Sequence, residues 1–388
     1  MDQAARQSRS GRYVNQLTGY RAFVPTELPP EPPVDLARLS PLVSAADQAI
    51  GRLDGVARML PNPDLFVAMY VRREAVLSSQ IEGTQSSLDD VLSFQLGEPG
   101  GLPRDVDEVV NHVAAMNHGL RRLDTLPLSL RLIREIHGVL MSGVRGSERT
   151  PGEFRTSQNW IGTAGAHLDE ASFVPPPPHE LTRLLGDLER FLHEAGPLPL
   201  LVHAGVAHAQ FETIHPFLDG NGRVGRLLIT LLLVHGGVLE RPVLYLSYFL
   251  KRHRAEYYDR LMAVRDGDWE GWLDFFLRGV AETSRDATST AASILVMRED
   301  HRRDLEDLGP NAIRLMDRLF EQPVVNVAWV QKALGVSWPT ANKLITQLMD
   351  RALLAEVTGH RRNRVFRYAA YVDLFAEREP DLSAGPTS

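Results

Sequence analysis

The run Val224 to Val234, VGRLLITLLLV, holds one charged residue, Arg226, in an otherwise almost wholly apolar stretch. A helix that is apolar on all sides has to be buried, so this run is read as a core helix around which the rest of the chain is arranged. It begins near Asn221 or Gly222, inside HPFLDGNGRVGR, His215 to Arg226. Arg223 and Arg226 are therefore expected in its first turn. A helix N-terminus already carries partial positive charge and unpaired N–H groups, so each cation there is unfavourable by about 0.3–1 kcal/mol. A bound anion would resolve the conflict.

Each residue around such an anion has a chemical use. Gly220 and Gly222 lack Cβ atoms, so the backbone can turn tightly and present N–H groups to phosphate oxygens. Arg223 and Arg226, three apart, add charge-assisted bonds from one helix face. Asp219 beside a polyphosphate is a natural magnesium ligand, because magnesium takes few carboxylates and completes its shell with phosphate oxygens. His215 is within reach as a general base near neutral pH. Alone, each has an ordinary explanation as turn, surface or solvated-face residue. Together, leading into a buried helix, they point to hydroxyl attack on a metal-bound nucleotide.

The rest of the chain reads as mostly α. Residues 1–40 are rich in Pro, Gly and Ser and are expected to form an extended arm. Helical spacing runs from Pro41 to about Gln95, then over Asp105–Leu123, Leu130–Leu140, Leu181–Glu194, Leu198–Phe211 and on to about Ala292. The exception is 152–178, GEFRTSQNWIGTAGAHLDEASFVPPPP, whose glycines, β-branched and aromatic residues are expected to form a short β-hairpin flap. The domains expected are 1–100, 101–300 and 301–375, with a tail at 376–388. No cysteine is present, which excludes disulfides, thiolate zinc sites and a cysteine nucleophile. The net charge of −7 and the lack of a long apolar run or signal-like start point to a cytoplasmic protein with no membrane partner. His203 and His208, five apart, do not suit a one-face metal pair and are expected to be packed, as are Trp269 and Trp272.

A second charge anomaly lies far upstream. In SSQIEGT, Ser78 to Thr84, a helical pattern stops at Gly83, which suits the residue after a helix C-terminus. Glu82 is then an anion at the negative end of a helix dipole. Ser79 and Glu82 have capping-box spacing, but the helical residues precede them, so that explanation fails on position.

The stretch from His215 to Arg226 resembles the Fic family signature, His-x-Phe-x-(Asp/Glu)-Gly-Asn-Gly-Arg-x-x-Arg, at every fixed position. The resemblance covers roughly residues 39–292, with GEFRTSQNWIG and FVPPPP similar to the family's target-docking flap. It implies a protein adenylyltransferase, moving AMP from magnesium-bound ATP to a target hydroxyl. His215 would be the base, Asp219 would hold magnesium, and Gly220, Asn221 and Gly222 would form an anion hole. Arg223 would hold phosphate, Arg226 would grip the γ-phosphate, and Phe217 would be a core anchor. Ile161 and Gly162 on the flap, with Tyr257 and Tyr258, fall where similar proteins line the nucleoside pocket. Ser78, Glu82 and Gly83 resemble the family's inhibitory motif, (Ser/Thr)-x-x-x-Glu-(Gly/Asn), in which the glutamate would pair with Arg226. Transfer of UMP or phosphocholine, and removal of AMP by water, stay open.

The C-terminal part has the order helix, turn, helix and basic hairpin, which resembles a winged helix-turn-helix. Residues 301–375 carry 11 Lys/Arg and 8 Asp/Glu, against a net −7 for the whole chain. Arg361, Arg362, Arg364 and Arg367 would lie on the wing, with Ser337, Thr340 and Asn342 near the recognition-helix start. DNA, a protein or a second copy of this chain are all open as its partner. A rival reading of the whole is therefore a DNA-binding regulator whose Fic-like part senses nucleotide.

Overall fold

The apolar run is a helix over Asn221–His235, and every residue from Val224 to Leu233 in it is buried. The structure, a computed structural model, describes residues 9–17, 19–60, 63–97, 102–162, 167–194, 196–359 and 363–375. Residues 163–166 of the expected flap, wing residues Arg361 and Arg362 and the tail from 376 lie outside the described residues.

Strands β1 (Gly11–Asn15) and β2 (Arg21–Pro25) come first. Helices α1 (Leu36–Met59), α2 (Pro63–Ile81), α3 (Leu88–Phe94), α4 (Val106–Leu123) and α5 (Leu130–Leu140) follow. After the flap come α6 (Leu181–His193), α7 (Leu200–Ile214), α8 (Asn221–His235), α9 (Ser247–Arg252), α10 (Arg254–Arg265) and α11 (Trp269–Asp304). Contacts divide the chain into two units, one of residues 1–59, 70–91 and 101–288, the other of 60–69, 92–100 and 289–388.

In the first unit α8 packs against α7, α4 and α5, while α7 also meets α6, α10 and α1. Helix α6 shows why the layers close. Leu181, Leu184, Leu185, Leu188, Phe191 and Leu192 recur at helical spacing and are all buried, each contributing about 1.5–3 kcal/mol relative to exposure. Helix α5 is capped by Ser129, whose hydroxyl accepts the Leu132 N–H, a cap worth about 1 kcal/mol. Trp269 and Trp272 are buried as expected, and the Trp272 indole N–H donates to the Gly205 carbonyl at 2.8 Å.

The N-terminal segment departs from the extended arm. Strands β1 and β2 pair antiparallel, with Tyr13 opposite Phe23, and helix α1 begins at Leu36 and runs through Pro41. The proline-rich composition masks two five-residue strands, of which RAFVP buries Ala22, Phe23 and Val24. The flap, among its described residues, is held by a bridge between Ile161 and Phe173, with N···O distances of 2.8 and 3.1 Å.

The second unit contains α12 (Pro310–Leu319), β3 (Val324–Asn326), α13 (Val327–Leu334), α14 (Trp338–Asp350), β4 (Ala355–Glu356), β5 (Val365–Arg367) and α15 (Ala369–Val372). Its sheet has the order β3-β5-β4, all antiparallel. With α12, α13 and α14 packed on one another, this is a winged-helix arrangement. Asn326 caps α13 and Ser337 caps α14, whose first helical turn accommodates Pro339. No helix among the described residues is long and apolar enough to cross a membrane.

Candidate active site

Helix α7 ends at Ile214, and His215 follows in the left-handed conformation, φ 50° and ψ 60°. For a residue with a Cβ this costs about 1–2 kcal/mol, so the surroundings must hold it there. The loop beyond is stapled by Asn221, whose Oδ1 accepts the Phe217 N–H and whose Nδ2 donates to the Phe217 carbonyl, both at 2.8 Å. Phe217 is fully buried and stacks on His137 with ring centroids 3.7 Å apart, so its anchoring role stands. His137 accepts the Gly152 N–H at Nδ1 (2.8 Å), and its Nε2 faces the Asp219 carbonyl at 3.0 Å. That pair of partners fixes the tautomer with its proton on Nε2, and burial pushes the ring down to about 4, so it is neutral.

Helix α8 then starts from Gly220, left-handed at φ 76°, with no side chain capping the helix. Its opening amides are left to the space in front of them. Arg223 lies in the first turn, whereas Arg226 lies in the second, a correction to the sequence expectation. The helix begins at Asn221, so its first turn is already complete at Val224. The conflict at Arg226 therefore comes from burial more than from the dipole. Its side chain is 1% exposed.

What satisfies Arg226 is the end of α2. Its Nε donates to Ser78 Oγ (2.8 Å), and its Nη2 donates to the Ser78 carbonyl (3.0 Å) and to Glu82 Oε1 (2.6 Å). Helix α2 closes with Gly83 at φ 100°, Thr84 N donating to Ser79 O (3.3 Å) and Gly83 N to Gln80 O (3.1 Å). This Schellman closure sets Glu82 just past the helical residues. Burial pushes the Glu82 carboxyl up, but the charge and hydrogen bond of Arg226, with Arg223 behind, outweigh it and hold it below the usual range. A Cβ added at Gly222 would collide with Glu82 Oε1. The carboxylate thus fills the space directly over the glycine turn.

Arg223 is engaged from another side. It pairs with buried Glu108 of α4 at 3.1 Å and lies 3.9 Å from Asp219. Asp219 is 36% exposed, and its Oδ1 accepts the Gly220 N–H at 2.7 Å. Among the described residues no cluster of three or more His, Asp or Glu could hold a metal unaided. A single half-exposed carboxylate beside open amides fits magnesium, which draws most of its ligands from phosphate and water.

Burial pushes His215 down to about 4, helped by the charge of Arg155 and opposed by the Glu212 backbone. It is a neutral, base-competent ring at pH 7. Burial also raises Glu212 to about 7, with the Arg226 charge pulling the other way. Tyr257 is buried, its hydroxyl 2.9 Å from His208 Nε2, while Tyr258 is half-exposed. Burial raises both tyrosine hydroxyls, with the charges of Arg226 and Glu82 acting on each. Of the flap residues, Ile161 is half-buried and Gly162 exposed. His203 and His208 are packed, on the carbonyls of Phe191 and Gly225. Glu108, His137, Arg155 and Asn159 were not singled out by the sequence, and the only local sign was Arg155 and Asn159 lying inside the flap stretch.

Residues 127–233 match the Fic/DOC family model, and residues 40–121 match that of the Fic/DOC family N-terminal region. The protein adenylyltransferase Fic of Aedes aegypti is 35% identical over 202 residues, 50% of this chain and 37% of that protein. Its counterpart in Drosophila melanogaster is 28% identical over 250 residues, 62% of this chain and 46% of that protein. The chain thus spans less than half the length of these relatives. Among solved structures, a Fic family protein from Desulfovibrio desulfuricans aligns over 85% of this chain and 95% of its own, with TM-score 0.57 and 23% identity. A Fic domain containing signaling protein from Bacteroides thetaiotaomicron aligns over 64% and 95%, with TM-score 0.50 and 18% identity. These two likenesses show the fold, a mainly helical Fic fold with small antiparallel sheets, and with the family matches over 40–121 and 127–233 they make the chain a Fic/DOC family protein with the family's N-terminal domain, distantly related to the Fic adenylyltransferases.

Proposed function

We propose that this chain transfers AMP from ATP to a hydroxyl side chain of a target protein, and that Glu82 restrains it by holding Arg226. The observation that carries the reading is the single loop from His215 to Arg226, which ends one helix on a neutral histidine and opens the next on uncapped amides. In this reading the target oxygen attacks the α-phosphorus, the bond to the bridging oxygen breaks, and pyrophosphate leaves with the electron pair. The hydroxyl proton passes to a His215 ring nitrogen. The amides of Gly220, Asn221 and Gly222 and the guanidinium of Arg223 face phosphate oxygens, and Arg226 takes the γ-phosphate once Glu82 leaves it. Asp219 would hold magnesium, which supplies charge neutralisation for the polyphosphate. Ile161 and Gly162 of the flap and Tyr257 and Tyr258 line the nucleoside side, and an extended target segment adds to the flap as a strand.

Intact mass after incubation with each nucleoside triphosphate and magnesium tests this, because each donor adds a distinct mass. A gain equal to AMP with ATP alone is expected. A gain equal to UMP would replace the donor, and no gain from any of them, even in a chain freed of Glu82, would refute transfer. Asp219→Ala should lose the magnesium-dependent gain, and a gain that survives excess chelator would remove Asp219 from this role.

One observation favours a second reading for the C-terminal unit. A groove of about 480 Å³ is lined by Asn326, Trp338, Asn342, Asn363, Arg364 and Phe366, and Trp338 at the start of α14 is 55% exposed. Polar side chains around a recognition-helix start suit a duplex edge. If it reads DNA, a preferred sequence should still be bound over random duplex as salt rises from 50 to about 200 mM. Retention that vanishes equally for all sequences would leave only basic attraction.

A further inference from the structure

Behind the catalytic loop lies a buried guanidinium held entirely by carbonyls. Arg155 Nε donates to the His215 carbonyl at 2.9 Å, and Nη2 donates to those of Pro176 at 2.6 Å and Ile214 at 3.3 Å. Its Nη1 donates to the Ser157 carbonyl at 3.3 Å, and its backbone N–H to the Pro216 carbonyl at 2.9 Å. Asn159, on the same arm of the flap, adds Nδ2 bonds to the carbonyls of Phe217 at 2.8 Å and His215 at 3.3 Å.

These contacts answer two needs at once. The last carbonyls of α7 have no helical donors, and a cation at a helix C-terminus is favourable. His215, left-handed and bearing a Cβ, needs its carbonyl fixed for its side chain to keep one direction. The same guanidinium also reaches both arms of the flap, Ser157 on the outgoing arm and Pro176 on the returning one. The bridge between Ile161 and Phe173 lies between them. Burial pushes Arg155 down to about 10, and among the described residues no carboxylate is paired with it. A buried cation without a counter-ion is costly to keep, so the fold retains it for what it joins.

We infer that Arg155 is a positioning residue that fixes His215 in its left-handed turn and registers both flap arms to it, so that one guanidinium aligns base and presented hydroxyl. This rests on the transfer reaction proposed above. An arginine fork is needed because a lysine ammonium cannot span four carbonyls. The charge also matters to the base. The groups facing His215 are the cations Arg155 and Arg265, the Glu82 carboxylate and the Glu212 backbone, and Arg155 contributes more than the other charges.

Arg155→Gln and Arg155→Lys, made in the Glu82→Gly chain, test the inference through autolabelling with radioactive ATP and through NMR titration of the His215 imidazole. Arg155→Gln should cut turnover by at least about tenfold while the KM for ATP moves less than about twofold, because alignment and not nucleotide binding is lost. The imidazole should titrate at higher pH than in the parent, since a nearby cation has gone. Arg155→Lys should keep the low titration and still lose turnover. Turnover and ATP affinity falling together, or an unmoved His215 titration in Arg155→Gln, would overturn the inference. If Arg155→Gln does not fold, a folded Arg155→Lys with parental turnover overturns it, and one with reduced turnover supports it. A Glu82→Gly chain that labels nothing with any nucleotide would refute the transfer reading, while the titration, which needs no turnover, still decides this one.

Discussion

Glu82→Gly is expected to raise autolabelling about a hundredfold over the parent chain. In the structure Arg226 is committed to Ser78 and Glu82, and Glu82 Oε1 stands over Gly222. A γ-phosphate must displace the carboxylate or bind askew, so the parent should be slow even when saturated with ATP. A pair that favours the closed arrangement by about 2.7 kcal/mol leaves roughly one molecule in a hundred competent, which sets the size of the gain. Arg226 still donates to the Ser78 hydroxyl and carbonyl in the variant, so the guanidinium is not left bare. Adding Arg226→Ala should remove the gain, because in the proposed reaction the same arginine takes the γ-phosphate. Equal labelling by the parent and Glu82→Gly would make Glu82 an ordinary helix-end residue.

The largest loss is expected from His215, replaced in the activated chain. General-base catalysis contributes about 10²–10⁴-fold, so His215→Ala should bring transfer close to background while calorimetry finds ATP affinity largely intact. Asparagine is the better-matched second variant, because it tolerates the left-handed conformation and still lacks a base. Loss of activity in both variants with retained nucleotide binding is the expected pattern. Labelling at the parental rate in either would assign the proton to another group. In the activated chain with His215 intact, burial keeps the ring neutral, so transfer should persist as pH falls below 6.5 and drop only towards pH 4.

The parts of the site that were legible in the sequence were those that broke a local rule. His215 to Arg226 is contiguous, and its glycines and charges conflict with the buried helix they open. Glu82 and Arg226 are 144 residues apart, yet each is anomalous for its own helix, and the two meet at 2.6 Å. Arg226 does so from the second turn, where burial supplies the need that the dipole was expected to supply. Glu108 gave no such sign. An acidic residue in the first turn of α4 is what a helix dipole favours, and its partner Arg223 lies 115 residues on. Arg155 and Asn159 bond only to carbonyls, which every residue has, so no side-chain pattern announces them. Long amphipathic helices such as α6 were read from periodicity, whereas β1 and β2 are too short to outweigh the prolines and glycines around them.

The closure of α2 bears on how fast the proposed restraint can respond. Because Gly83 and Thr84 return their N–H groups to the helix, the backbone at Glu82 stays anchored whether or not its side chain touches Arg226. Leaving the arginine then needs only rotation about side-chain bonds at a half-exposed residue, with no turn of helix to melt. The proposed restraint would then work as a rheostat without memory: it would set what fraction of molecules is competent at any instant. A partner that touched only the Glu82 carboxylate would retune output at once, without refolding any part of the chain.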